Sequence, residues 1–175
     1  MEPDPVTVAG TLLVAVLAGL VVRRRLLFVT LVDSCSMVPA LAPGRRVLTR
    51  RLGRTGRIRR GDVLVVTSHE LGRPVVKRVL GLPGEQVVIG STGRLSIDGR
   101  DVAEPYVVHH GGPGGTFRVP PGHLLLLGDN RACSDDGRHW RCPYLPVTAV
   151  RGKVVSGLAP PPAARHRAGR APCSP

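Results

Sequence analysis

The first hydrophobic stretch of the chain has no charged face. Residues 6–22, seventeen positions, carry no charged side chain and are followed by Arg23, Arg24 and Arg25. As a helix, this stretch would measure about 25 Å, slightly less than the ~30 Å hydrocarbon core of a bilayer. It has no polar stripe at helical spacing, which a buried amphipathic helix would show. The pattern predicts one N-terminal transmembrane helix within a membrane anchor over residues 1–25.

A cleaved signal peptide is the main alternative for this stretch. Such a peptide begins with a positive region and ends at a small-x-small cleavage site. This chain instead begins MEPDP, and its apolar stretch ends in VVRRRLLF. A retained anchor is therefore favoured.

Beyond the anchor, the pattern changes to short apolar runs bounded by Gly, Pro and Asp. Such runs are typical of β-strands with tight turns between them. The predicted strands are Leu26 to Val32, Val47 to Arg50, Asp62 to Thr67, Pro74 to Leu80, Gln86 to Ile89, Arg94 to Ile97, Thr116 to Val119, His123 to Leu127 and Val150 to Ser156. They predict a mainly β protein, with an antiparallel, barrel-like β domain over residues 26–158.

The sequence also predicts two turns, one surface loop and a disordered tail. Asp98-Gly99 predicts a hairpin turn, and residues 82–85 (LPGE) predict a second turn. Residues 109–115 (HHGGPGG) predict a flexible surface loop, and residues 159–175, rich in Pro, Ala and Arg, predict a disordered tail.

The charge of the chain indicates what kind of partner it binds. The 175 residues hold 25 basic and 12 acidic side chains, and eleven arginines but a single acid, Asp33, lie between Arg23 and Arg60. A surface of this kind attracts a polyanion such as anionic lipid or nucleic acid. Aromatic residues make up only 3% of the chain, which disfavours stacking platforms for single-stranded nucleic acid. Net charge alone cannot choose between the two polyanions. With the predicted membrane anchor beside this segment, we expect anionic membrane lipid, and no nucleic acid, as a partner.

Lysine usage suggests a catalytic chemistry. Only Lys77 and Lys153 are lysines among 25 basic residues. A serine nucleophile needs a group to accept its proton, and no His lies beside a Ser in a recognisable nucleophile elbow. A lysine can act as this base only when neutral, and burial lowers its pKa. Strand alternation places Lys77 on one face with Val75 and Val79. A solvated lysine on an edge strand is the alternative, and Lys153 is the weaker candidate.

Four motifs in order carry a resemblance to a known family. They are SCSMVPAL at residues 34–41, RGDVL at residues 60–64, VKRVLGLPGE at residues 76–85, and GDNR with SDDGR at residues 128–131 and 134–138. In this order and spacing, residues 30–157 resemble the type I signal peptidases. These are membrane-bound serine proteases with a Ser/Lys dyad, so the resemblance implies a serine endopeptidase that cleaves signal peptides from exported precursor proteins without a cofactor.

The resemblance also implies roles for individual residues. Ser36 matches the nucleophile and Lys77 the general base. The Ser34 hydroxyl and the backbone N–H of Ser36 match the oxyanion hole, and Ser134 matches the serine that orients the lysine. The structural supports are two acid–arginine pairs, Asp129 with Arg78 and Asp136 with Arg138. Three positions depart from the family pattern: Cys35 stands where Gly is common, Ala40 where Thr is usual, and Gly137 where Ser is usual.

Alternatives stay open for the cysteines and for the function. Cys133 and Cys142 form either a disulfide or free buried thiols, and a zinc site is disfavoured because no CxxC or HxxxH spacing occurs, so no metal is expected. The alternative function is a non-catalytic, membrane-tethered basic β module that binds anionic lipid or nucleic acid.

Two arguments about membrane topology disagree. The arginines that follow the anchor would keep the β domain in the cytoplasm under the positive-inside rule. The resemblance places it outside, where precursors emerge. We favour a single-pass protein of the cell membrane with its catalytic domain on the extracytoplasmic side, because a short apolar segment determines orientation only weakly.

Overall fold

The computed structural model describes residues 4–53 and 56–157 and, within its one α-helix, the side chains of residues 8–21 and 25–26. The predicted tail, residues 159–175, lies outside the described residues. The elements are α1 (Pro5–Leu26), β1 (Leu27–Leu31), β2 (Arg46–Arg51), β3 (Val63–Ser68), β4 (Arg73–Gly81), β5 (Gln86–Ile89), β6 (Leu95–Ile97), β7 (Arg100–Val102), β8 (Gly115–Arg118), β9 (His123–Leu127), β10 (Tyr144–Pro146) and β11 (Val150–Gly157), with a 3₁₀ turn at Val147–Ala149.

The strands form two antiparallel sheets. The larger sheet has the order β1-β2-β11-β3-β4-β9-β10, and the smaller has the order β7-β6-β5-β8. The mainly β class and all nine predicted strands are confirmed. The barrel-like closure is wrong, because among the described strands β1 does not pair with β10, so both are edge strands of an open sheet.

The two predicted turns are confirmed and have clear physical causes. Asp98 and Gly99 have φ values of 48° and 76°, the left-handed conformation that a two-residue hairpin requires at both positions. In the second turn, the Glu85 N–H donates to the Leu82 carbonyl and Gly84 has a φ of 88°. This turn carries the chain from β4 in the large sheet to β5 in the small one.

Strand β9 lies between the two main hydrophobic clusters. Its residues Leu124 and Leu126 belong to the first cluster, which includes Trp140, while Leu125 and Leu127 belong to the second, which covers the small sheet. All four leucines are 0–1% exposed. The segment that follows β9, residues 128–138, is therefore held by a strand that is buried on both faces.

Helix α1 precedes the sheets and presents exposed apolar side chains, including Leu12, Leu13, Val14, Val16 and Leu17. In the described part of the chain, no helix combines the length and the hydropathy that a membrane crossing requires. The transmembrane anchor therefore stays a prediction.

Candidate active site

Ser36 lies in the loop that joins β1 to β2. A small buried apolar cluster anchors the loop; its members are Val32, Met37, Leu41 and Val47. Met37, next to the candidate nucleophile, is only 1% exposed, and Ser36 itself is 6% exposed. Burial of its neighbour on the chain therefore anchors the Ser36 backbone.

Asn130 also holds this loop in place. Its backbone N–H donates to the Ser36 carbonyl at 3.0 Å, and its side-chain Nδ2 donates to the Cys35 carbonyl at 3.3 Å. Two consecutive carbonyls of the Ser36 loop are thus bound by one residue of the segment after β9. This contact joins the first and last sequence motifs.

The two serines of the first motif contact each other. Ser34 Oγ lies 3.2 Å from Ser36 Oγ, within hydrogen-bond distance. A hydroxyl in this position can donate toward an oxygen that develops negative charge beside Ser36. The geometry is compatible with the oxyanion role that the sequence resemblance implies for Ser34.

Lys77 lies on β4, in the interior of the larger sheet between β3 and β9. The predicted alternation is present, since Val75, Lys77 and Val79 are buried whereas Val76 and Arg78 are partly exposed. Lys77 is 3% exposed, and its Nζ donates to Ser134 Oγ at 3.1 Å. The alternative of a solvated lysine on an edge strand is therefore wrong.

Burial changes the acid–base chemistry of Lys77. Desolvation lowers the pKa of its amine from 10.5 to about 8, even though the nearby Asp136 and Asp135 carboxylates favour the charged form. Arg73 and Arg138 lower the pKa further. About a tenth of the amine is then neutral at pH 7, whereas an ordinary lysine would be almost entirely charged.

Ser36 and Lys77 line one cavity of about 500 Å³. Apolar residues form much of the cavity wall, among them Met37 in the Ser36 loop, Val65 on β3 and Val75 on β4. Arg73 and Asp33 also line it, in a solvent-exposed ion pair of 3.4 Å. The cavity thus offers an apolar surface beside a hydroxyl and a buried amine.

Gly128 lies where the Ser36 loop and Ser134 approach each other most closely. A Cβ at this position would lie 2.1 Å from Ser134 Oγ and 2.5 Å from the Ser36 carbonyl oxygen. Such distances are shorter than any real side chain allows. Only glycine lets β9 end between these two groups.

A buried ion pair fixes Ser134 and Gly128. Arg138 binds Asp136 through two hydrogen bonds, Nε to Oδ1 at 2.9 Å and Nη2 to Oδ2 at 3.0 Å. Asp136 also accepts the Gly128 N–H at 3.0 Å. Burial alone would raise the pKa of Asp136, but Arg138, the Gly128 N–H and the Ser134 hydroxyl together lower it. The carboxylate therefore stays ionised beside Ser134, the acceptor of the Lys77 hydrogen bond.

The second acid–arginine pair braces the far side of β4. Arg78 donates to both oxygens of Asp129, at 2.7 and 2.6 Å, and to the Gly61 carbonyl at 2.8 Å. Its guanidinium also stacks on Tyr106, 4.0 Å from the ring centroid. Bidentate pairs of this kind fix relative orientation. This pair ties β4 to the segment after β9 on the face opposite Lys77.

Comparison with known proteins assigns a family to this arrangement. The family described as "Signal peptidase, peptidase S26" matches residues 6–158. The chain belongs to the peptidase S26 signal peptidase family. It is 34% identical over 140 residues to signal peptidase I of Bacillus licheniformis, across 73% of this chain and 75% of that protein. Signal peptidase I T of Bacillus subtilis is also 34% identical, across 73% of this chain and 72% of its own length.

A solved structure gives the same result. The crystal structure of a signal peptidase I from Enterococcus faecalis superposes with a TM-score of 0.51 and 28% sequence identity, over 57% of this chain and 97% of that one. The resemblance found in the sequence is confirmed, and the protein is a serine-type peptidase of the S26 family.

Two of the departures from the signal peptidase pattern have a local explanation. A Cβ at Gly137 would lie 2.7 Å from the Pro143 carbonyl oxygen and 3.0 Å from Leu125 Cδ1, so serine does not fit there in this structure. Cys35 does not need glycine-like freedom, since Asp98 is the single non-glycine residue of positive φ in the described ranges.

The structure decides between the two alternatives for the cysteines. Cys133 and Cys142 are both free, Cys133 half-buried and Cys142 exposed, so of the two alternatives the disulfide between them is absent. Within residues 4–53 and 56–157, no group of three or more His, Cys, Asp and Glu side chains has the arrangement of a metal site.

Sequence reasoning missed three contributors to this site. Gly128 and Asn130 were visible inside the GDNR motif but carry no titratable group, so nothing in their chemistry singled them out. The third is the glycine-rich loop at residues 109–115, whose Gly111 carbonyl accepts a hydrogen bond of 2.8 Å from Arg138 Nη1. Most of this loop is exposed, as predicted for a surface loop, yet it also holds Arg138 in place.

Proposed function

We propose that this protein is a membrane-anchored endopeptidase that removes signal peptides from exported precursor proteins, with Ser36 as nucleophile and Lys77 as general base. The observation that carries the proposal is the buried Lys77 amine, bound to Ser134 in the cavity that Ser36 also lines. Lipid binding alone would need neither a buried lysine nor a serine beside it.

The proposed reaction begins with neutral Lys77. Its amine takes the Ser36 hydroxyl proton as Oγ attacks the scissile carbonyl, and the oxygen that becomes negative is stabilised by the Ser34 hydroxyl and the Ser36 N–H. The Lys77 ammonium then gives its proton to the leaving amine, which leaves an acyl ester on Ser36. Lys77 next takes a proton from water as the water oxygen attacks the ester carbonyl. The ester C–Oγ bond then breaks, and the Lys77 ammonium returns its proton to Ser36 Oγ, which releases the carboxylic acid product and restores the neutral amine.

Ser134 is proposed to position the base. Its hydroxyl donates toward Asp136 and accepts from Lys77 Nζ, so the amine has one fixed partner. The lone pair of the neutral amine is then free to accept the Ser36 proton. This division of roles explains why Asp136 and Arg138 matter for geometry although neither lines the cavity.

Substrate choice and location are argued from the surfaces of the molecule. An apolar cavity beside Ser36 favours small apolar side chains next to the scissile bond, as the family accepts. The apolar side chains of α1 are exposed in this chain, and a bilayer would cover them. We place the β domain on the extracytoplasmic side, where exported precursors emerge, with anionic lipid as the neighbour of the arginine-rich segment.

Cleavage of a precursor tests the function. The full chain in detergent micelles is mixed with a secretory precursor, and the new N-terminus is identified by mass spectrometry. We expect cleavage at the signal-peptide boundary by the wild type and by Ser91→Ala, an exposed control serine. Ser36→Ala and Lys77→Arg should both be inactive, because arginine cannot release its proton at working pH. Turnover by Lys77→Arg would overturn the general-base assignment, and cleavage by Ser36→Ala would overturn the nucleophile.

Topology has its own test. Intact protoplasts are treated with protease, and an epitope placed after Pro175 is followed. Loss of the epitope supports an external domain, whereas full protection contradicts both the location and the substrate class.

A further inference from the structure

A second cavity of about 560 Å³ lies apart from the Ser36 cavity and shares no lining residue with it. Its polar lining comes from Arg50, Arg51, Arg57, Arg59 and Lys153, and Leu26, the last residue of α1, also borders it. Five basic residues therefore line one concave space where the helix meets the larger sheet.

Little of this positive charge is neutralised by the protein itself. Lys153 Nζ lies 2.5 Å from Asp62 Oδ1, and the other oxygen of Asp62 accepts the backbone N–H of Arg59. For the four arginines, no ion pair with a carboxylate occurs among residues 4–53 and 56–157. The cavity therefore keeps a net positive charge that an anion would balance.

Strand register leaves Arg50 without an opposite charge across either neighbouring strand. Arg50 on β2 is directly opposite Lys153 on β11. Because Asp62 already pairs with Lys153, neither cross-strand neighbour gives Arg50 a negatively charged partner, and a bound anion would supply one. The Arg51 guanidinium is restrained by the Phe28 ring, whose centroid lies 4.9 Å away. A restrained guanidinium loses less freedom when it binds a ligand.

We propose that this cavity binds a phosphate group. Guanidinium groups match phosphate oxygens with paired hydrogen bonds, which suits an arginine-rich lining better than a lysine-rich one. The phosphate can come from the headgroup of an anionic lipid or from a free phosphate. The lipid source rests on the proposed membrane anchor, because Leu26 at the end of α1 would then place the cavity at headgroup depth. The free source needs no anchor.

Binding is measured by calorimetry on the full chain in uncharged detergent micelles. In one arm the probe is inorganic phosphate, and in the other it is phosphatidylglycerol mixed into the micelles. The comparison lipid is phosphatidylcholine, whose phosphate is balanced by its own choline cation, so that its net charge is zero. Binding of phosphatidylglycerol alone identifies a lipid headgroup as the ligand, and binding in both arms shows that free phosphate suffices. No binding in either arm overturns the proposal.

A matched pair of variants separates the cavity from general charge. Arg57→Gln with Arg59→Gln removes two cavity arginines, whereas Arg94→Gln with Arg118→Gln removes the same charge from exposed positions at the smaller sheet. Each basic residue near an anionic group strengthens binding about fivefold, so loss of the cavity pair should weaken it about twenty-five-fold. The control pair should change it less than about twofold, because distant charges are screened. Equal weakening by both pairs would overturn a specific site.

This readout does not use peptide cleavage. Loss of phosphate binding with intact precursor cleavage would leave the peptidase proposal standing. Intact phosphate binding without cleavage would leave the cavity proposal standing.

Discussion

Substituting Gly128 by alanine should inactivate the enzyme without unfolding it. The new Cβ would lie 2.1 Å from Ser134 Oγ and 2.5 Å from the Ser36 carbonyl oxygen. The φ of Gly128 is not in the left-handed region, so the effect is steric. Ordinary contacts are longer than 3.4 Å, so Ser134 or the Ser36 loop must move by about 1 Å. A displacement of this size between reacting groups typically reduces the rate about a hundredfold.

Gly81→Ala is the matched control for this prediction. Its Cβ would lie 2.7 Å from Val119 Cγ2 and 2.9 Å from Val87 Cγ2, so it is also overpacked, but within the cluster that covers the smaller sheet. Overpacking of either site destabilises the fold by about 1–3 kcal/mol. Both variants should therefore unfold at a lower temperature than the wild type.

The assay compares kcat for precursor cleavage per folded molecule, with the melting temperature followed by circular dichroism. Gly128→Ala should lose about a hundredfold in kcat, whereas Gly81→Ala should keep kcat within about threefold of wild type. If Gly128→Ala retained near wild-type kcat, the close approach at Gly128 would not be what positions Ser134 and Ser36.

Three further predictions follow from the same contacts. Lys77→Met should raise the free energy of unfolding at pH 7 by about 2–3 kcal/mol, because the folded state no longer holds a buried amine with a pKa of about 8. This gain should shrink as the pH rises from 8 to 10.5, because the lysine of the folded wild type is then already neutral. Denaturant titrations at several pH values measure both effects. Asp135→Asn keeps an acceptor for Trp140 but removes a charge that raises the pKa of Lys77, so the midpoint of the pH–rate profile should move to lower pH; an unchanged midpoint would contradict the stated cause. Asn130→Ala leaves the Cys35 carbonyl without its side-chain donor, and kcat should fall about tenfold with little change in KM, as initial rates over a range of precursor concentrations would measure.

Local sequence signals predicted much of the fold because they depend on neighbouring residues. The alternation around Lys77 and the turn at Asp98-Gly99 are short-range patterns, and both are present in the structure. The two strands that were not predicted, β7 (Arg100–Val102) and β10 (Tyr144–Pro146), have three residues each, and β10 includes a proline, which is a poor signal for a strand.

Closure of the sheet and the cysteine pairing depend on contacts between distant residues. Whether β1 meets β10 is set by the whole order of the large sheet, which no local pattern encodes. The path of the chain from Cys133 to Cys142 is set by the Asp136–Arg138 pair and by the hydrogen bond of Trp140 to Asp135. Sequence spacing alone could not reveal that this path leaves both thiols free.

The pairing of Ser36 with a neutral Lys77 is the central claim, and the pH dependence of kcat/KM tests it most directly. With a Lys77 pKa of about 8, the neutral fraction is about 1% at pH 6, about 9% at pH 7 and about 50% at pH 8. Precursor cleavage should therefore rise nearly tenfold from pH 6 to 7, about fivefold from pH 7 to 8, and less than about twofold from pH 8 to 9. A rate that is flat down to acidic pH would implicate a carboxylate and contradict the account.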